Sequence, residues 1–96
     1  MYIADQTWPN LGDYVATESL AVVPLGSTEQ HGPHLPLATD HLIAESLARA
    51  ATERTGHLCT PTVNVGVSPH HRQFHGTMWV DPPQLRDYVE SMTRNL

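Results

Sequence analysis

Glu29, His31 and Asp40 are the residues of this 96-residue chain whose types and spacing best suit metal chemistry. Glu29 and His31 stand two apart, so an extended backbone sends both side chains off one face. Asp40 comes at the far end of the same polar stretch and can return to the same point. Carboxylate, imidazole and carboxylate make a nitrogen–oxygen donor set suited to zinc, manganese or iron rather than to a thiolate-preferring ion. A plainer account is also open: Glu29 solvated, His31 a polar loop residue, Asp40 the cap of the next helix.

Three elements must position this stretch. Leu20 to Leu25 is a short, continuous apolar run stopped by Gly26, which predicts a central parallel strand buried on both faces. A loop stiffened by Pro33 and Pro36 follows. After Asp40 a helical pattern runs to Thr55 and ends at Gly56, with Ile43, Leu47, Ala50 and Ala51 on one face and Glu45–Arg49 spaced as an ion pair. Arg54 suits the negative end of that helix. Its positive amino end would favour an anionic group at the loop. Strand, polar loop and helix together place the candidate ligands where open α/β sheets bind ligands, beyond the carboxyl ends of the strands.

Ser27 lies in the same loop, but Leu25-Gly26-Ser27-Thr28 lacks the second glycine of a nucleophile elbow. Its hydroxyl is expected to bond to loop backbone. Leu58 to Val67 reads as a second strand, irregular at Pro61, with Cys59 a small buried hydrophobe. The helix between the strands calls for a right-handed parallel crossover. His70, His71 and His75 then crowd one loop. His71 and His75 could form a metal pair, but a polar loop lining a cleft is the preferred reading.

Gly76 to Val80 reads as extended, and Asp81-Pro82-Pro83 opens a helix in which Leu85, Tyr88, Val89, Met92 and Leu96 share a face that needs a sheet beneath it. At the other end, Thr7 and Pro9 start a short helix ending near Ala16, with Trp8 and Tyr14 as packing residues.

The formal net charge is −5, with five arginines and no lysine, so no basic patch is available for phosphates and nucleic acid is excluded as a partner. No apolar run is long enough to span a bilayer, and no cleavable leader is read, which makes the cytoplasm the expected location. The single Cys59 has no partner for a disulfide or a Cys-x-x-Cys site.

The run Pro24-Leu25-Gly26-Ser27-Thr28-Glu29-Gln30-His31-Gly32-Pro33-His34-Leu35-Pro36-Leu37-Ala38-Thr39-Asp40 closely resembles the signature of the creatininase (creatinine amidohydrolase) family. Gly66 to Thr77 is similar to that family's second, looser segment. His71 matches its histidine, while His70 stands where an acidic residue is common and His75 where proline is common. The resemblance implies a three-layer α/β/α creatininase-type fold with a mainly parallel sheet, of which residues 1–96 would be the amino-terminal part of a single domain, apparently truncated.

It also implies an amidohydrolase using two divalent metal ions (zinc, manganese or iron). Glu29 would bind one ion, His31 the other, and Asp40 would bridge them. His34 and His71 are candidates to line the substrate or support the ligands. The implied reaction is metal-assisted hydrolysis of a non-peptide C–N bond, as in a cyclic amide or formamide, on a small-molecule substrate by a homo-oligomer of the complete protein. The family spans creatinine hydrolases, a formamidopyrimidine deformylase and a peptide-processing enzyme of redox-cofactor maturation. Its remaining ligands come in a Gly-His-x-Glu-Asn or Gly-His-Gly-Gly-Asn context, and neither occurs in these 96 residues. A catalytically incomplete fragment, or a metal-binding module needing a complementary chain, is therefore the alternative expectation.

Overall fold

In the computed structural model, which describes residues 1–96, the fold is built outward from Leu58 and Cys59, 3% and 0% exposed. Strand β1 (Ala21–Val22) pairs in parallel with β2 (Leu58–Cys59), Ala21 opposite Leu58 and Val22 opposite Cys59. Tyr2 bridges Cys59 in parallel as well, and the Cys59 N–H donates to the Met1 carbonyl at 2.7 Å. The inner strand is therefore β2. The expectation that Leu20–Leu25 is buried on both faces is corrected: Ala21 and Val22 are half-buried, and Leu20 and Leu25 are 49% and 51% exposed. The reason is that β1 has one strand neighbour and the long helix packs over β2 instead.

The second strand is also shorter than the apolar run. Pro61 has no N–H to give a ladder. Pairing resumes beyond it, where Leu25 bridges Val63 in parallel and the Gly26 N–H donates to the Val63 carbonyl at 2.9 Å. That bond fixes the point where the chain leaves the sheet for the loop.

Three helices surround the strands: α1 (Trp8–Val15), α2 (Thr39–Thr55) and α3 (Pro82–Arg94). Helix α2 ends at Gly56, whose φ of 77° lets its N–H close on the Thr52 carbonyl. The Glu45–Arg49 pair forms at 3.5 Å, and the Arg49 guanidinium also lies 4.3 Å over the Tyr2 ring. The face that packs inward is not the expected one. Ala48 and Thr52 are buried, while Ile43 and Leu47 are 53% and 67% exposed. Small side chains let the helix approach the strands closely, and the Thr52 hydroxyl is satisfied by the Ala48 carbonyl at 2.9 Å. The bulky apolar stripe is left outward.

Tyr14 of α1 packs as expected, its hydroxyl donating to the Leu20 carbonyl (2.7 Å) and accepting from the Leu58 N–H (3.0 Å). Trp8 does not, being largely exposed. In α3, Leu85, Val89 and Met92 are half-buried and Tyr88 is exposed. An open groove of about 340 Å³ runs between this helix and the second strand segment, lined by Val63, Val65, Val80, Leu85 and Tyr88 among others. The molecule measures 47 × 29 × 18 Å and exposes 6410 Å². A closed monomer of this mass would expose about 5500 Å². The chain is a slab with open apolar faces. No helix in it is long and apolar enough to cross a membrane.

Candidate metal centre

Gly26 brings the sheet and α2 into contact. A Cβ at Gly26 would sit 2.5 Å from the His41 Cα, backbone that cannot yield, so only glycine fits. This contact holds the first turn of α2, and with it Asp40, against the loop. No side chain caps α2 at Ala38, and Asp40 lies inside the helix rather than at the cap. Its carboxylate is thereby available to the site.

The loop is fastened at each step. The Glu29 N–H donates to the Leu37 carbonyl (3.0 Å), and the Gln30 N–H to the Thr77 hydroxyl (3.1 Å). The Thr28 hydroxyl donates to the Asn64 carbonyl (2.7 Å), and Thr28 and Met78 form an antiparallel bridge. Gly32, at φ 71°, takes the turn that follows His31, and its N–H donates to the Gln30 Oε1 at 3.0 Å.

Glu29, His31 and Asp40, each half-buried, offer ligand atoms that all lie within 4.8 Å of one another. His31 donates from Nδ1 to the Glu29 carbonyl (3.2 Å) and from Nε2 to Asp40 Oδ1 (3.1 Å). The Ser27 hydroxyl donates to the other Asp40 oxygen at 2.5 Å. Ser27 thus orients a carboxylate rather than the loop backbone, against expectation, and nothing in the sequence pattern announces a bond spanning thirteen residues. The bond to the Glu29 carbonyl, foremost, and the Asp40 charge raise His31 above the ordinary imidazole value, with burial opposing. The Ser27 hydroxyl, foremost, and then Glu29 and His31 hold Asp40 below the usual carboxylate range, again against burial.

The donor set fits a divalent ion. A backbone carbonyl on Nδ1 is the support that leaves Nε2 to act as ligand. Two donors bound at about 2.0–2.2 Å in a tetrahedron lie about 3.3–3.6 Å apart, a few tenths of an ångström beyond the His31–Asp40 separation of 3.1 Å.

The second histidine segment forms a 3-10 turn, Pro69–His71. It is His70 and His71, not His71 and His75, that come together, their ring centroids 4.1 Å apart. Both offer ligand atoms within 4.8 Å of Glu29, a convergence the sequence reading missed although three crowded histidines were its visible signal. The Gln30 Nε2–H donates to His71 Nδ1 at 3.0 Å. His75 instead joins Gln30, Gly32, Pro33, Leu37 and Phe74 around an open cavity of about 340 Å³ beside the loop. His34 is exposed in the Gly32–His34 turn and belongs to neither cluster.

The creatininase family model, described as creatinine amidohydrolase, matches residues 4–96. The chain is 39% identical over 89 residues to a mycofactocin precursor peptide peptidase of Mycobacterium ulcerans, covering 83% of this chain and 32% of that protein. It is 26% identical to the creatinine amidohydrolase of Pseudomonas putida, covering all of this chain and 39% of that one. It superposes on a crystal structure of creatininase with a TM-score of 0.90 at 27% identity, over 99% of this chain and 39% of the other. Solved creatininases include a Zn–Zn form, a Mn form and a variant complexed with creatine. The chain belongs to the creatininase family and spans about a third of the length of the curated relatives it matches.

Proposed function

We propose that this chain carries the first ligands of a two-metal amidohydrolase centre, Glu29 on one ion, His31 on the other and Asp40 shared between them. The convergence of these three side chains at one strand end carries the reading, together with the Zn–Zn and Mn creatininases of the same fold. Bound divalent ions would supply polarisation of an amide carbonyl and a water acidified for attack. The chain's own residues do the rest. Ser27 fixes the rotation of the Asp40 carboxylate, and the Glu29 carbonyl fixes the His31 tautomer. The amino end of α2 adds positive potential where charge develops on a tetrahedral oxygen. The cavity bordered by Gln30, Phe74 and His75 offers an aromatic wall and an imidazole to an amide substrate.

For the substrate, the non-peptide C–N bond expected from the sequence gives way to a peptide amide. The peptidase relatives stand at 39–45% identity and the creatinine amidohydrolase at 26%, which favours a peptide amide C–N bond. A second reading holds that these 96 residues bind metal but turn over only with a complementary chain. The uncovered groove between α3 and Val63–Val65 favours it.

The test is metal content per chain on purified protein, paired with mass in solution and hydrolysis of short peptide amides and creatinine. Two ions per chain with peptide hydrolysis are expected for the first reading, and two ions without hydrolysis for the second. A chain that takes up no zinc or manganese overturns both.

A further inference from the structure

The ten acidic residues of the chain are unevenly spread. Residues 30–38 and 66–80, which meet where the Gln30 N–H donates to the Thr77 hydroxyl, contain no aspartate or glutamate. They hold five of the seven histidines, His31, His34, His70, His71 and His75, together with Arg72. Glu29 and Asp40, which flank the first stretch, are proposed ligands, and Asp81 stands at the start of α3. The rim beside the metal centre is therefore free of competing carboxylates, in a chain whose net charge is −5.

Between the two stretches lies the open cavity of about 340 Å³ lined by Gln30, Gly32, Pro33, Leu37, Phe74 and His75. Its walls are in direct contact. Leu37 packs so closely on Gly76 that a Cβ there would lie 2.4 Å from the Leu37 Cδ1, and the His34 ring rests over Gly32 at the rim. The volume is at the lower end of the range of about 300–1,000 Å³ for small-molecule sites, which suits one or two amino-acid residues.

We infer that this cavity seats a carboxylate-bearing residue next to the scissile amide, with His75 as the residue that selects the carboxylate and Arg72 adding to its attraction. The inference deepens the proposed function and rests on it for the position of that amide.

Three observations carry it. The His75 ring is exposed and makes no hydrogen bond to the protein, whereas the Gln30 amide is engaged at both ends, by the Gly32 N–H and by His71. The remaining lining residues are glycine or apolar, so His75 is the free side-chain donor of the cavity, and an imidazole donates in either protonation state. Arg72, on the same turn, donates to the Pro69 carbonyl at 3.2 Å and forms no ion pair, unlike Arg49, Arg86 and Arg94. Its other N–H groups can meet an anion with charge-assisted bonds. In the family pattern proline is common at position 75 and an acidic residue at position 70. Proline has no side-chain donor and an acid would repel a carboxylate, so this preference belongs to this chain.

The test is calorimetric titration of the zinc-loaded full chain with three dipeptide analogues that carry a methylene in place of the central amide nitrogen and cannot be hydrolysed. They are acetyl-Leu-Phe, acetyl-Leu-Phe amide and acetyl-Leu-Glu amide. Histidine ring protons are followed by NMR in parallel. The two carboxylate analogues should bind about fivefold more tightly than the uncharged one. That advantage should shrink at about 1 M salt, and their binding should shift the His75 ring signals. His75→Gln should remove most of the advantage and Arg72→Gln a smaller part, each with wild-type zinc stoichiometry. An advantage for one carboxylate analogue alone supports the inference and identifies the source, chain terminus or acidic side chain. Equal affinity for all three overturns it. So does an advantage that survives in the His75→Gln, Arg72→Gln double variant, which would put the carboxylate on the ions; both results leave the proposed function standing. Should His75→Gln lose zinc, the wild-type His75 signals decide, and signals that the carboxylate analogues leave unmoved overturn the inference. A chain that takes up no zinc overturns the proposed function. The same NMR titration of the ion-free chain then decides this inference: a His75 shift with the carboxylate analogues alone supports it, and any other result overturns it.

Discussion

Two segments bring histidines toward Glu29, and they are built differently. In the loop from Ser27 to Asp40, each proposed ligand is held by a further contact: Asp40 by Ser27, His31 by the Glu29 carbonyl, and the Glu29 backbone by Leu37. In the turn from Ser68 to His71, the His70 ring has no partner, His71 has only Gln30, and the Ser68 hydroxyl is buried with no hydrogen bond at all. The first segment is organised before any ion arrives. The second has its backbone set and its side chains free. Supporting contacts of the first kind are worth about 10–100-fold in metal affinity, so the first segment is the one built to hold an ion tightly.

The largest expected effect is that of Asp40→Ala, which removes the shared ligand. Paired binding should be lost, with no more than one ion left per chain. Zinc stoichiometry by calorimetry checks it, and undiminished two-ion binding would rule out the shared role of Asp40.

Next come the two serines, which set the segments directly against each other. Ser27→Ala should weaken binding at the His31–Asp40 locus by about 10–100-fold, because the Asp40 carboxylate loses the bond that fixes its rotation. Ser68→Ala should leave that affinity unchanged. It removes a buried, unpaired hydroxyl whose desolvation costs about 1–3 kcal/mol, so thermal stability should hold or rise. Competition titration with a chromophoric chelator and a melting curve for each variant test the pair. Equal affinity losses in both would erase the distinction between the segments.

How much of this was legible in the sequence follows from the range of each interaction. The helix from Thr39 to Thr55, its stop at Gly56 and the Glu45–Arg49 pair are local, and the 3.6-residue period and a left-handed glycine announce them. The Glu29–His31–Asp40 cluster was legible because two of its members sit at strand spacing and the third opens the helix. The buried face of α2 was not. Periodicity selects the bulky stripe of Ile43 and Leu47, whereas close helix–strand approach selects Ala48 and Thr52. Strand β1 misled for a related reason: a continuous apolar run shows that both faces can be covered, and not which layers cover them. The Ser27–Asp40 bond and the meeting of Glu29 with His70 join residues far apart in the chain, and no local pattern encodes either.

A smaller effect is expected from pH. His31 is raised above its ordinary value, so the ion-free His31–Asp40 pair contributes stability fully present below about pH 6.5 and lost as pH rises through the shifted value. Asp40 is lowered, so its contribution is present above about pH 3.9 and lost as pH falls through its shifted value. The ion-free chain should therefore gain most from the pair in mildly acid solution. An ion must displace the Nε2 proton, so zinc affinity at this locus should fall about tenfold per pH unit below the His31 value. Zinc titrations at several pH values between 5 and 8 read this slope. A flat profile would mean that the imidazole is not a ligand.

The smallest effect should come from Gln30, the one side chain that ties the two segments together. Its Oε1 accepts from the Gly32 N–H beside His31, and its Nε2 donates to His71. Both bonds are partly exposed, so Gln30→Ala should cost about 1 kcal/mol of stability and no more. The informative readout is where the change falls. The backbone of the first segment is held by Leu37 and Thr77 independently of this side chain, so zinc affinity at His31 and Asp40 should stay unchanged. The His71 ring signals should broaden or shift in the ion-free chain, since its only hydrogen-bond partner is gone. A loss at His31 as large as that of Ser27→Ala would show that the first segment depends on the second, and that the fastening seen around Asp40 is not self-sufficient.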